Sequence, residues 1–203
     1  DSITLLIMGL NSIEACQVMS RAASTPYSTT GLAYLTPSAA SRSKIHKVSS
    51  AGTSVTSIRL EGPTVSLNYE AIELRKIYHE KEIVEIQSSD SVNYWKEVGE
   101  CSLLGNPEAL WRLSVPPAYG AEVVEKIIES INIDFLMDWA GGRIWIGIYG
   151  SDVYAEEIRS ACSARGGHAL LMNASNNVFS QIPAFHPLPL ELIELEKRIK
   201  NSF

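Results

Sequence analysis

The sequence has no uninterrupted apolar stretch that could cross a bilayer. A membrane-spanning helix needs about 20 consecutive, mainly apolar residues, and the 203 residues contain no such run. Hydrophobic residues make up 45% of the chain and charged residues 20%, which is typical of globular domains. We therefore expect a globular protein with no transmembrane segment.

Cysteine is scarce. The chain has three cysteines, Cys16, Cys101 and Cys162, an odd number at wide spacing. Such a pattern fits neither a disulfide framework nor a zinc site, and it favours free thiols in a reducing compartment. We expect a cytoplasmic protein in which the three thiols are small apolar core side chains.

Positive charge is also in short supply. Lys and Arg number 17 against 23 Asp and Glu, so the formal net charge is -6. The summed field would repel a polyphosphate backbone, which argues against nucleic acid as a partner. The one dense basic stretch, residues 42–47, lies in a Ser-rich segment that predicts a solvated loop.

The common catalytic motifs are missing. The chain has no GxGxxG, GxxxxGK, HExxH, CxxC or GxSxG pattern. Its four histidines, His46, His79, His168 and His186, are not at ligand spacing, so we predict no metal site. A metal-dependent enzyme remains an alternative, because histidines and carboxylates that are distant in the sequence can converge in space.

A repeated order of elements is present instead. Residues 3–88 and residues 109–173 each read strand, helix, strand, strand, helix, strand, which is the order of a ferredoxin-like split βαβ unit. The prediction is an α+β fold in which two tandem units form an antiparallel sheet with helices on one face. Residues 36–54 predict a long surface loop and residues 187–202 a C-terminal helix, all within one domain spanning 1–203.

One strand carries a cation. In the strand 109–115 the apolar residues alternate with Arg112 and Ser114, which therefore share the opposite face. An arginine on a sheet face without helices suits a planar carboxylate, because its guanidinium group forks two charge-assisted hydrogen bonds. The alternative is that Arg112 pairs with Asp138 or another carboxylate of the sheet.

Aromatic and glycine residues surround a predicted tight turn. Trp139 and Trp145 flank Gly141 and Gly142, and a π face with close backbone approach can receive a flat heterocycle. Equally, the two tryptophans can fill the core. His168 begins a predicted strand, where it can act as an acid or base or serve as a structural histidine at a helix-to-strand junction.

Five segments then occur in an order that resembles a known family. Together they resemble the C-terminal part of the smaller flavin-binding subunit of bacterial glycolate oxidase, in the wider family of flavin-linked oxidases of the vanillyl-alcohol-oxidase type. The segments are SIRLEG (57–62), LWRLSVPP (110–117), DWAGGRIWI (138–146), GGHALLMNA (166–174) and FHPLP (185–189).

The resemblance implies a cap over a flavin and a substrate pocket, with an N-terminal FAD-binding domain outside this chain holding most of the FAD. It implies oxidation of a small 2-hydroxy acid such as glycolate and transfer of electrons to an iron–sulfur subunit, with possible attachment to a membrane through partner subunits. Arg112 and His168 are then the expected catalytic residues, and Trp139, Gly141 and Gly142 the expected flavin contacts.

Two further expectations concern activity. The family's glycine motif for the flavin is not found, so we expect the isolated chain to be inactive. The main alternative is a ferredoxin-like module for ligand binding or protein interaction without catalysis, because this fold hosts many unrelated functions.

Overall fold

A computed structural model, which describes residues 1–187 and 190–202, contains one eight-stranded antiparallel sheet. Its strands are β1 (Ser2–Met8), β2 (Thr29–Leu35), β3 (Val55–Glu61), β4 (Ile83–Gln87), β5 (Ala109–Ser114), β6 (Asp134–Asp138), β7 (Arg143–Ile148) and β8 (His168–Asn173). The helices are α1 (Ser12–Ala23), α2 (Pro37–Ser41), α3 (His46–Ser49), α4 (Thr64–Ile77), α5 (Ser88–Gly99), α6 (Gly120–Ile128), α7 (Ala155–Ser163), α8 (Asn176–Gln181) and α9 (Leu190–Lys200).

The strand order shows that the sheet is built from two similar halves. Across the sheet the order is β4-β1-β3-β2-β6-β7-β5-β8. Within each half, the fourth strand lies outermost, followed by the first, the third and the second. The predicted α+β fold of two ferredoxin-like units in one antiparallel sheet is therefore confirmed.

The halves meet along their second strands. β2 and β6 pair at three positions, Ala33 with Asp138, Tyr34 with Met137 and Leu35 with Leu136. Beside this junction the rings of Tyr34 and Phe135 lie 5.9 Å apart. The junction thus aligns the faces of both halves, and each face of the sheet is continuous.

The helix that follows β1 has a clear start signal. Asn11 precedes α1, and its side chain accepts from the Glu14 backbone N–H, while the Glu14 carboxylate accepts from the Asn11 N–H. This reciprocal capping box satisfies two amides that lack partners inside the helix. Pro26 follows α1, and no helix continues through it.

The four long repeat helices, α1, α4, α6 and α7, lie on one face of the sheet, as the sequence predicts. They cover an apolar core that receives alternate residues of β1, β3, β5, β7 and β8. Trp111 on β5 is fully buried there, and its indole N–H donates to the Val153 carbonyl at 3.0 Å.

The opposite face, called the second face below, is not bare. The prediction that residues 36–54 form a surface loop is wrong: α2 and α3 lie there and bury Ala39, Ala40, Ile45 and Val48. These apolar residues are few and separated by serines, so they show no sustained period, and only their packing against the sheet makes the helices stable.

Coverage of the second face is confined to one part of it. α5 and a 3₁₀ turn at Ser102–Leu104 complete a second core with α2 and α3. In the described part of the chain, the fully buried strand residues of this core come from β1, β2, β3, β4 and β6, while Leu110 of β5 and Trp145 of β7 are only partly buried against its edge. The second face of β5, β7 and β8 is therefore the least covered surface of the sheet.

The cysteines pack as expected. Cys101 and Cys162 are buried, Cys16 is half-buried, and all three thiols are free. Burial raises the pKa of the Cys101 and Cys162 thiols to about 12, so both stay protonated at neutral pH. Within residues 1–187 and 190–202, no helix combines the length and the apolarity that a membrane crossing requires.

The contact between Gly120 and Gly141 gives a test of this packing. A Cβ on Gly120 would lie 2.2 Å from the Gly141 carbonyl oxygen, which belongs to the backbone and cannot swing away. We expect Gly120→Ala to lower the free energy of unfolding by about 1–3 kcal/mol through overpacking. Urea unfolding of the protein measures this change.

Gly99 is the matched control, because a Cβ there meets nothing within 4 Å at the exposed end of α5. We expect Gly99→Ala to be neutral or to stabilise by up to about 1 kcal/mol. Equal effects of the two substitutions would contradict the close approach of the two glycine backbones.

Candidate functional site

The least covered surface carries a row of polar and aromatic side chains. We call it the open strip: the second face of β7, β5 and β8. Directly paired residues of neighbouring strands point to the same face of the sheet, so the strand pairing identifies the residues of the open strip. The strip consists of Arg143, Trp145, Ser114, Arg112, Leu170 and His168.

Arg112 lies in the middle of the open strip. It is half-buried and stands between Trp145 on β7 and Leu170 on β8. Within the part of the chain that the structure describes, the Arg112 guanidinium group has no ion-pair or hydrogen-bond partner. Asp138, the partner weighed from the sequence, pairs with Arg143 instead. The structure thus leaves a cation available on this face.

His168 shares the strip with Arg112. It is exposed at the first residue of β8 and faces Ser114, two residues along β5 from Arg112. Diagonal neighbours in an antiparallel pair lie about 7–8 Å apart. Both predicted catalytic residues are therefore on one face and near each other, although their roles remain predictions.

The turn between β6 and β7 places its residues on opposite sides. Trp139 is 66% exposed, and its ring centre lies 4.2 Å from the Arg143 guanidinium carbon. Gly141 faces the helices, since a Cβ there would lie 2.8 Å from the Cys16 sulfur. Gly142 is close to Pro117 and Val115. Trp139 is thus brought to the strip, whereas Gly141 fits the packing of the turn, and flavin contact by all three remains a prediction.

The same turn is strained. Trp139 and Ala140 have φ values of 53° and 55°, in the left-handed region that side chains disfavour. Such residues cost about 1–3 kcal/mol each and cluster at ligand-binding sites. Here the strain turns the large Trp139 ring outward from the sheet.

Arg143 was missed from the sequence. It pairs with the buried Asp138 carboxylate and lies beneath Trp139, and its guanidinium carbon is 6.0 Å from the Trp145 ring centre. The signal was present: a hairpin with its turn at 139–142 places residues 138 and 143 opposite each other, so a carboxylate faces a cation. That pairing also explains why Arg112 is left without Asp138.

Two donors at this site lack acceptors. The Arg143 Nε and the Trp145 Nε1 are buried and make no hydrogen bond to any described residue. A buried donor without a partner costs about 1–3 kcal/mol, so native proteins seldom keep one without a compensating contact. Both atoms are enclosed by the protein, so they add a local cost to this site and are not exposed to a molecule on this face.

A cleft of about 380 Å³ adjoins the strip at the junction of the two halves. Trp95 of α5 forms one wall and Trp139 another. Gly31 forms part of the floor, because a Cβ there would lie 2.9 Å from the Trp95 ring. Arg59 pairs with Glu61 at 2.8 Å and lies 5.9 Å from the Trp95 ring centre.

Together these groups can bind a planar, oxygen-bearing molecule. Guanidinium groups bind carboxylates and carbonyls, and the tryptophan faces can stack on a ring. Within the described residues, no group of three or more His, Cys, Asp and Glu side chains is placed to hold a metal ion.

The ion pair beneath Trp139 can be tested by removing its charge. Asp138 is 6% exposed and accepts from Arg143 and from the Trp139 backbone N–H at 2.7 Å. We expect Asp138→Asn to lower the free energy of unfolding by about 1.5–3 kcal/mol, because Arg143 loses its counter-charge. Chemical denaturation with an unchanged m-value measures this loss.

The control is Glu122→Gln, which removes the carboxylate that pairs with Arg165 at an exposed site. Exposed pairs contribute about 0–1 kcal/mol, so we expect little change. If Asp138→Asn lowers the free energy of unfolding no more than Glu122→Gln does, the Asp138–Arg143 pair does not stabilise the turn.

Comparisons with known proteins support the fold. No protein-family model matches the chain. No curated protein sequence matches it either. Among solved structures, the chain is similar to a 4-ethylphenol oxidase from Gulosibacter chungangensis in complex with isoeugenol, with a TM-score of 0.58 and 13% sequence identity. The match covers 100% of this chain and 51% of that oxidase, so the chain spans about half its length. At this identity the likeness concerns the fold.

Proposed function

We propose that this chain is the cap half of an FAD-dependent oxidoreductase that oxidises a small 2-hydroxy acid of the glycolate type. The cap lies over the flavin and the substrate pocket with its open strip. An FAD-binding domain outside this chain holds most of the cofactor. An iron–sulfur partner subunit, a cytoplasmic location and membrane attachment through partners belong to the same proposal and rest on the sequence resemblance.

The observation that carries the proposal is Arg112 on the open strip. A half-buried guanidinium group without a described counter-ion is ready to bind an anion, and a 2-hydroxy acid presents a carboxylate beside the carbon that is oxidised. His168 lies on the same face, opposite Ser114, and in this proposal it exchanges a proton with the substrate hydroxyl. The shared fold with an oxidase over the whole chain supports the same class.

The open strip also fits a flavin. An isoalloxazine ring is flat and bears carbonyl and nitrogen acceptors at one edge. Trp139 offers an exposed aromatic face, and the Arg143 guanidinium group beneath it carries a positive charge. Bound there, FAD would supply the two-electron chemistry, while the chain's own residues would orient its ring and exclude water.

Arg112 gives the first test. In the full-length protein with its partners, we expect Arg112→Ala to raise the KM for glycolate or lactate by about 10- to 100-fold, since charge-assisted hydrogen bonds contribute about 1.5–3 kcal/mol. Arg112→Lys should restore part of the loss. Steady-state kinetics measure both variants.

Arg165→Ala is the matched control, because it removes an arginine exposed on the helical side. The proposal is wrong if Arg112→Ala behaves as Arg165→Ala does. It is equally wrong about the substrate class if the protein turns over a neutral phenol and not the hydroxy acids.

Trp139 tests the flavin contact. We expect Trp139→Ala in the full-length protein to shift the visible flavin absorption bands and to change flavin fluorescence, because an indole near the ring alters its environment and quenches emission. The indole is 66% exposed on this chain, so its removal should cost little stability.

Tyr69 on α4 is the control, an aromatic side chain with a similar exposure of 61% that lies away from the open strip. Tyr69→Ala should leave the flavin spectrum unchanged. Identical spectra for the two variants would remove Trp139 from the cofactor site.

A further inference from the structure

A short segment runs along the outer edge of the sheet. Residues 183–187, called the clasp below, follow α8 and lie beside β8, the last strand of the sheet. The Leu171 backbone N–H donates to the Ala184 carbonyl at 2.9 Å, so the clasp covers a strand edge that would otherwise be open.

His186 joins the clasp to two elements. Its Nδ1 accepts from the Ala169 backbone N–H at 3.1 Å, and its Nε2 lies 3.0 Å from the Ser163 hydroxyl oxygen. An Nδ1 that accepts a hydrogen bond carries no proton, so the proton of the neutral ring is on Nε2, which donates to Ser163. The imidazole therefore holds the clasp only in its neutral form, and in this tautomer it is no base for Ser163.

Arg159 makes the second attachment. Its Nη2 donates to the Pro183 carbonyl and, at 3.1 Å, to the Phe185 carbonyl. The guanidinium carbon also lies 5.3 Å from the centre of the buried Trp111 ring. Through Arg159, the clasp thus contacts the apolar core that the four repeat helices cover. The Arg159 side chain stays positively charged at every physiological pH.

The charges around His186 disfavour a second proton. Among the described residues, the charged or titratable groups near it are Arg159 and Glu156 on α7, which line the same groove, and His168 on β8. Burial, then Arg159, then His168, lowers the pKa of His186 from its ordinary value of 6.5. Glu156 is exposed and does not offset these effects.

We propose that residues 183–187 form a pH-dependent clasp, held on the edge of β8 by neutral His186 and released when the imidazole is protonated. Protonation removes the acceptor for the Ala169 N–H and places a positive charge beside Arg159. Because the pKa of His186 is lowered in the closed state, closure is fully favoured above the ordinary histidine pKa and lost as the pH falls through the lowered value.

Release would free the edge of β8. The Ala169 and Leu171 amides would lose their partners, Nδ1 of His186 and the Ala184 carbonyl. The same strand carries His168, but the clasp does not depend on any catalytic role of that residue. The inference therefore stands apart from the proposed oxidase function.

Hydrogen exchange of the full-length protein tests the clasp. Peptides covering 168–173 and 183–187 are followed at about pH 8 and about pH 5, and rates are corrected for the intrinsic effect of pH on exchange. We expect protection of the Ala169 and Leu171 amides to fall at the lower pH, while β5 stays protected. The wild-type profile decides the question without any variant: equal corrected protection at both pH values overturns the clasp.

His186→Asn sharpens the test. The Asn carbonyl oxygen can accept from the Ala169 N–H as Nδ1 does, but it does not titrate, so we expect protection to persist at about pH 5. His79→Asn is the control, since His79 is exposed at the end of α4, and it should keep the wild-type profile. A pH-dependent loss in the His186→Asn variant equal to that of the wild type would assign the opening to another group.

Discussion

The short pairing of β2 with β6 is the contact on which the architecture depends. Among the described residues, three pairs join the two strands, and they align both halves in one sheet and set which surfaces are continuous. Packing reinforces the join from both sides: Tyr34 meets Phe135 on the helical face, and Leu35 and Leu136 lie in the second core. Because the halves meet through their second strands, the first and fourth strands of each half lie toward the outside. The open strip is thus at one end of the sheet.

An unequal distribution of helices makes one half of the second face different from the other. The first half gains α2, α3 and α5 over its strands, and these segments occupy the connections that follow β2 and β4. The second half has no insertion of that length after β6, where a tight turn leads directly to β7. The duplicated units therefore share strand order and differ in cover. The second half therefore has a surface with half-buried Arg and Trp side chains. A ligand or a second domain can cover such a surface.

The order of elements could be predicted from the sequence, because the spacing of apolar residues differs between strands and helices. This spacing is visible within each short segment of the sequence. The strand predicted at 109–115, with a buried face and a polar face, agrees with β5 (Ala109–Ser114) to within one residue. The segment 36–54 was not, since its small apolar residues show no period, and its helices exist through contact with β2 and β6. The placement of Arg112 on the face of β5 opposite to Trp111 could be expected from alternation alone. The register between strands, and hence the partner of each charge, could not.

The choice between Arg112 and Arg143 shows why register matters for chemistry. Both arginines lie on the second face, and the sequence offers one nearby carboxylate, Asp138, to either. The tight turn at 139–142 decides the matter, since it makes Asp138 and Arg143 direct cross-strand partners and keeps Arg112 one strand further away. Asp138 is taken by Arg143, so the Arg112 guanidinium group has no carboxylate partner among the described residues. The turn that carries the exposed Trp139 is therefore also the element that leaves Arg112 without Asp138 as a partner.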